Sequence, residues 1–207
     1  DYTKELGMDA IAITDHGVQY GNIEFYKEAK KRGIKPIFGT EAYVALRTMY
    51  DRQPNIDDKR YHLTLLAKNN RGYQNLLALS SKSHLEGFYY KPRVDKKLLR
   101  EHSDGLIALS GCLNGEAPKA ILAGKMDDAE KILLEYAEIF GKDNFYIELQ
   151  NHPNIPEQVK LNSHLIKLAK KLSMPLVATQ DSHYLRPQDA EAQDILLAIQ
   201  TGDKTAD

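Results

Sequence analysis

A chain of 207 residues with 42% hydrophobic and 28% charged residues has the make-up of a soluble globular protein and enough apolar material for one sizeable core. No apolar run approaches the ~18 residues that span a bilayer, the opening Asp1-Tyr2-Thr3-Lys4-Glu5 is not a secretory leader, and a net charge of -1 excludes a domain that is as a whole a basic nucleic-acid clamp. The single cysteine, Cys112, excludes an internal disulfide and fits a reducing cytoplasm.

In chain order, Tyr2 to Leu6 reads as the end of a helix whose start is missing, feeding a β-like run at Ala10–Thr14. A helix over Asn22–Lys31 stops at Gly33, where a C-terminal glycine is expected. A run at Lys35–Phe38 precedes an aperiodic segment, Arg47–Arg60, that reads as an exposed loop, and then a run at Tyr61–Leu66. A helix over Arg71–His84 leads to a run at Leu106–Leu109, and a helix over Asp127–Phe140, closed by Gly141, leads to Asn144–Leu149. A helix over Glu157–Leu172, opened by Pro156, leads to Pro175–Thr179. A last helix, Gln188–Ile199, follows Pro187, and the tail from Thr201 to Asp207 stops just past it. Most of the runs are continuously apolar, the pattern of strands buried on both faces of a parallel sheet. The alternation implies an α/β domain with right-handed crossovers, either a barrel or a doubly wound sheet.

In such folds the active site gathers at the carboxyl ends of the strands. Asp15-His16-Gly17 follows the first run, Glu41 the second, Ser110-Gly111-Cys112 the fourth, Gln150-Asn151-His152 the fifth and Gln180-Asp181-Ser182-His183 the sixth. Five strand ends in six thus carry a residue able to bind a metal, where chance would scatter such residues among the helices. Asp181 and His183 stand two apart, a spacing that in extended chain puts both side chains on one face. Imidazole, carboxylate and thiolate together suit zinc, and the carboxylates also suit manganese or iron. Adjacent metals would activate water and neutralise a phosphoester's charge. His62 opens its strand instead of following it, so the carboxyl-end rule does not select it, and a half-buried strand histidine is the plainer reading.

Thr14-Asp15-His16-Gly17, Gly39-Thr40-Glu41, Tyr61-His62-Leu63, Ser110-Gly111-Cys112 and Asp181-Ser182-His183 resemble, in order and spacing, the PHP (polymerase and histidinol phosphatase) superfamily. Gly21 to Tyr26, Glu86 to Asp95 and Ile199 to Gly202 are similar to the branch found in bacterial DNA polymerase III alpha subunits. The resemblance covers essentially the whole chain. It implies a distorted (β/α)7 barrel with up to three divalent metals at its mouth, zinc first, with manganese, iron or magnesium as alternatives. Carried over position by position, it implies metal ligands at His16, Glu41, His62, Cys112, Asp181 and His183, with Asp15 orienting or charging the ligand beside it. His152 matches no ligand; it either holds a substrate phosphate or is a plain polar strand end. Lys91 and Arg93 lie where aromatics and cations interleave, as in strand-stacking nucleic-acid sites, and are expected to contact DNA or phosphate or to pack as a loop on the barrel rim.

The family's first strand carries a His-x-His pair, and this chain begins downstream of it. Residues 1–207 are therefore expected to be one partial PHP domain with its first strand missing and no polymerase palm, inactive by itself. The functions implied are a metal-dependent 3′-5′ proofreading exonuclease within a cytoplasmic replicative polymerase, a scaffold that docks a separate exonuclease subunit, or a stand-alone histidinol-phosphatase-like enzyme. The partners implied are DNA through the parent polymerase, a proofreading exonuclease subunit and other replisome subunits, with no membrane.

Overall fold

A computed structural model describes residues 1–202; residues 203–207, most of the expected tail, lie outside the described residues. The elements are α1 (Tyr2–Glu5), β1 (Ala10–Ile13), α2 (Asn22–Lys31), β2 (Lys35–Ala45), β3 (Arg60–Ala67), α3 (Asn70–Leu85), β4 (Phe88–Tyr89), β5 (Lys91–Val94) and α4 (Lys96–Glu101). They continue with β6 (Leu106–Leu109), α5 (Glu116–Leu122), α6 (Met126–Phe140), β7 (Phe145–Gln150), α7 (Pro156–Leu172), β8 (Leu176–Thr179) and α8 (Ala190–Thr201).

Helix boundaries follow local chemistry. The Asn69 side chain accepts the Gly72 amide at 3.0 Å and starts α3, and Asp95 Oδ1 accepts the Leu98 amide at 2.8 Å and starts α4. Gly33, at φ 72°, ends α2 in the left-handed conformation that glycine adopts without strain. Helices α4 and α5 and the small β4–β5 hairpin carry too short a periodic pattern to be read from the residues alone.

Eight strands form one sheet along the path β4-β5-β2-β3-β6-β7-β8, with β1 beside the first half of β2, and the sheet curls into a half barrel. It is mixed, which corrects the expectation of parallel strands throughout. β3 runs antiparallel to both β2 and β6, while β1–β2, β2–β5, β6–β7 and β7–β8 are parallel. The physical reason is the connection: residues 46–59 contain no helix to carry the chain back across the sheet, so β3 returns beside β2. β2 itself runs on to Ala45, well past the apolar stretch that ends at Phe38, because Gly39 to Ala45 pair with Leu66 to Arg60. Gly39 fits only because it lacks a side chain, since a Cβ there would lie 2.4 Å from the Leu65 carbonyl oxygen.

Side chains alternate across the sheet. Ala42 and Val44 of β2, Leu63 and Leu65 of β3, and Phe145 and Ile147 of β7 are buried in the core with Leu133 and Tyr136 of α6 and Leu161 and Leu165 of α7. Each fully buried Leu, Ile or Phe contributes roughly 1.5–3 kcal/mol. The alternate positions, Glu41 and Tyr43, His62 and Thr64, and Glu148 and Gln150, share the opposite face. A barrel whose outer face is packed by helices thus presents a polar inner face. Among the described residues no helix is long and apolar enough to cross a membrane.

Candidate metal centre

The reversed direction of β3 brings His62 to the rim. An antiparallel strand starts where its neighbour ends, so the first turn of side chains on β3 lies beside the carboxyl end of β2. Tyr43 pairs with His62 and Glu41 with Thr64. The loop after β1 reaches the same place: His16 bridges Glu41 in parallel fashion, the Gly17 amide donates to the Glu41 carbonyl at 2.9 Å, and the Glu41 amide donates to the Asp15 carbonyl at 3.1 Å.

The ligand atoms of His16, Glu41 and His62 all lie within 4.8 Å of one another. Glu41 Oε1 is paired with His62 Nδ1, and its Oε2 lies 3.6 Å from His16 Nδ1. Cys112 Sγ stands 3.6 Å from His62 Nδ1 and 3.9 Å from Glu41 Oε1, and accepts the Asn114 amide at 3.4 Å. The turn carrying Cys112 is locked to β3: the His62 amide donates to the Asn114 carbonyl at 3.0 Å. Gly111, at φ 85°, passes so close that a Cβ would lie 2.5 Å from the His62 carbonyl oxygen.

His183 lies on the same side, its ring 6.3 Å from that of His16. Its Nδ1 is 2.8 Å from the Asp181 carbonyl oxygen, which can only accept, so Nδ1 carries the proton and Nε2 is left for a ligand. The expected extended geometry of Asp181 and His183 does not hold. Both residues lie past the end of β8, and Asp181 takes φ 49°, the left-handed region that Asp tolerates better than most residues. The Asp15 backbone carbonyl accepts Thr40 Oγ1 at 2.9 Å; among the described residues no hydrogen bond or ion pair joins its carboxylate to His16, whose ion pair is with Glu41. His152 stands apart from the trio and lines a cleft of about 600 Å³ with Gln180, Asp181, His183, Tyr184 and Gln193.

Arg93 departs from expectation. It is wholly buried, and four of its five guanidinium N–H groups donate to the carbonyls of Gly87 (3.1 Å), Asp57, Met49 and Asp51 (2.9 Å each), so the side chain is closed off from a phosphate. It clamps the segment 46–59, which is the exposed loop expected over most of its length but is anchored at Met49 and Asp57, both buried. Lys91 remains at the rim, its Nζ 5.9 Å from the Tyr43 ring.

Two residues escaped the sequence reading. Tyr43, two positions beyond Glu41, stacks on His16 at 5.9 Å with 8° between the planes and stands edge-on to His62 at 5.3 Å. Glu148 lies buried beneath the site, where it accepts the Gly111 amide at 3.1 Å and the Thr179 hydroxyl at 2.6 Å. The signal for both was the period of two along a strand, which places Tyr43 with Glu41 and makes Glu148 a lone carboxylate within an apolar run.

The electrostatics are those of a site that wants a cation. Burial alone would raise the Glu41 carboxyl, but the hydrogen bond from His62 and the charges of His62, His16 and His183 hold it below the ordinary range. Burial pushes the Cys112 thiol up to about 12, only partly opposed by the Asn114 amide and reinforced by Glu41, Asp181 and Glu148. A thiol facing carboxylates in this way gives up its proton when a divalent cation takes its place, and nitrogen, oxygen and sulfur donors at this spacing fit such an ion.

An α/β half barrel with candidate metal ligands gathered at one rim defines the class. The PHP domain family matches residues 1–152, and the chain belongs to that family. It is 53% identical over 194 residues to the DNA polymerase III subunit alpha of Thermus aquaticus, a match covering 93% of this chain and 16% of the relative. It is 50% identical over 205 residues to that of Borreliella burgdorferi (99% of this chain, 18% of the relative) and 47% identical over 211 residues to that of Deinococcus radiodurans (100% and 16%). The chain thus spans less than a fifth of the length of these relatives. Among solved structures it resembles a Bifidobacterium adolescentis protein described as a metal-dependent phosphoesterase, with TM-score 0.51 and 14% identity over 89% of this chain and 81% of the other. It also resembles an amidohydrolase from Chromobacterium violaceum with bound sulfate and no metal, with TM-score 0.52 and 14% identity over 91% and 81%. At that identity the likeness is one of fold.

Proposed function

We propose that this chain is the PHP domain of a bacterial replicative DNA polymerase III alpha subunit, acting in the cytoplasm on DNA, and that it hydrolyses phosphodiesters as a metal-dependent 3′-5′ exonuclease. The observation that carries this reading is the convergence of His16, Glu41 and His62, from three separate segments, to within 4.8 Å, with the Cys112 thiol 3.6 Å from His62.

His16, Glu41, His62, Cys112, Asp181 and His183 would hold divalent ions, zinc first by donor chemistry, with manganese, iron or magnesium as alternatives. Ions bound there lower the pKa of water and offset the charge of a phosphodiester. The chain's own part is positioning. Glu41 turns one oxygen toward each of two imidazoles, Tyr43 sets the plane of the His16 ring, and the Asp181 carbonyl fixes the His183 tautomer. The neighbouring cleft of about 600 Å³, with His152 on its wall, has the volume of an ordinary ligand pocket and suits a terminal nucleotide. Other replisome subunits, among them a separate proofreading exonuclease, are the protein partners this reading implies.

The test is metal content by mass spectrometry together with release of the 3′ nucleotide from a labelled primer, using the full-length gene product. The wild type should carry divalent metal and shorten the primer. Glu41→Gln should weaken metal binding by roughly 10–100-fold or more and abolish hydrolysis. A wild-type protein purified without chelators that holds no metal sinks the proposal; one that holds metal but leaves the primer intact favours the docking scaffold.

A further inference from the structure

Two cations meet on one ring at the edge of the metal rim. The Arg60 guanidinium carbon lies 5.4 Å, and the Lys91 Nζ 5.9 Å, from the centroid of the Tyr43 ring, which itself touches His16 and His62. The fold brings them there from separate elements. Arg60 precedes His62 by two residues on β3 and so shares its face, and Lys91 opens β5, which runs parallel to β2 with Arg93 paired to Tyr43.

Neither cation has a carboxylate partner among the described residues, whereas Arg47, Lys96, Arg100 and Lys171 each have one. Arg60 spends one nitrogen on the Asp58 carbonyl at 2.9 Å, and its Nε is buried with no hydrogen-bond partner among the described residues. Beside Lys91, Tyr90 is 66% exposed, and its ring stands edge-on at 4.7 Å to that of Tyr89, the residue paired with Lys91. Unneutralised cations next to exposed aromatic rings are how proteins hold a single strand, through phosphate charge and base stacking.

We propose that Arg60 and Lys91, carried on Tyr43, bind the phosphodiester backbone of single-stranded DNA and lead it to the metal rim. This rests on the phosphoesterase reading and adds the substrate's path to it. Arg60 takes the place that Arg93, buried in its clamp, cannot fill.

The test is fluorescence anisotropy of a 5′-labelled decathymidylate with phosphorothioate linkages, which resist cleavage, titrated with this chain at several salt concentrations. Metal content is measured on the same samples. Lys91→Gln and Arg60→Gln should each weaken binding about fivefold or more and flatten the log–log salt dependence by about 0.7 per lost phosphate contact, with metal content unchanged. Lys91→Arg should restore the affinity. Lys91 is only half-buried and unpaired, so its substitution leaves the fold in place even if Arg60→Gln misfolds. Affinity and salt slope unchanged in Lys91→Gln would overturn the proposal. Absence of metal in the wild type would instead remove the phosphoesterase reading, and the anisotropy comparison would still decide this one.

Discussion

Glu148 sits in a strand that buries mostly apolar side chains, and it ties three strands and the turn after β6 together. One oxygen accepts the Gly111 amide and the Thr64 hydroxyl (3.1 and 3.4 Å), and the other accepts Thr179 Oγ1 and Gln150 Nε2 (2.6 and 3.5 Å). Burial raises its pKa despite those hydrogen bonds. The folded state therefore holds this proton more tightly than the unfolded chain does. The associated stability is fully present below the ordinary carboxylate pKa and is lost as pH rises through the raised one. Glu148→Gln, uncharged and of the same shape, is expected to lack that loss. Urea denaturation from about pH 4 to about pH 8 should show the wild type falling relative to the variant, and parallel curves would refute the assignment. Glu148→Ala leaves the Gly111 amide without its acceptor and should cost about 2 kcal/mol. His16, Glu41 and Cys112 were legible in the sequence because each follows an apolar run. Glu148 was not, because the charge of a strand residue says nothing about whether its face meets helices or the barrel interior.

Segment 46–59 owes its shape to a side chain from another element. Arg93 of β5 reaches three of its carbonyls, Asp95 Oδ2 accepts the Met49 amide at 3.1 Å, and Arg47 pairs with the buried Asp57. Lysine cannot reproduce the planar fork that serves four carbonyls. Arg93→Lys is therefore expected to lower stability by roughly 2–3 kcal/mol in chemical denaturation and to speed amide hydrogen exchange across residues 47–59. A change under about 0.5 kcal/mol, typical of a surface substitution, would contradict the clamp. Five helices lie within two residues of their expected bounds, since caps and 3.6-residue periodicity are local. The direction of β3 is not local: it follows from the loop before it and the partners on either side.

For the molecule as a whole, the metal centre joins strands that are distant in sequence, so occupancy should couple to global stability. At a free metal concentration of about 100 Kd, binding adds about 2.7 kcal/mol. For a domain of this size that corresponds to roughly 5–10 °C in Tm. Dialysis against EDTA should lower the calorimetric Tm by that amount, and zinc or manganese should restore it. A Tm indifferent to both treatments would argue that these side chains hold no ion.

By itself the sequence determined the order of the longer helices and of six strands, the α/β class and the short polar motifs that end the strands, because these rest on periodicity, capping and turn chemistry within a few residues. Only the tertiary structure decided that β3 runs backwards and delivers His62 to the rim, that Tyr43 and Glu148 face inward, and that Arg93 is buried while Arg60 and Lys91 share one ring. Each of these depends on pairing between segments far apart in the chain. Which face of a strand meets helices, and which charge loses its water, exists only once the sheet has formed.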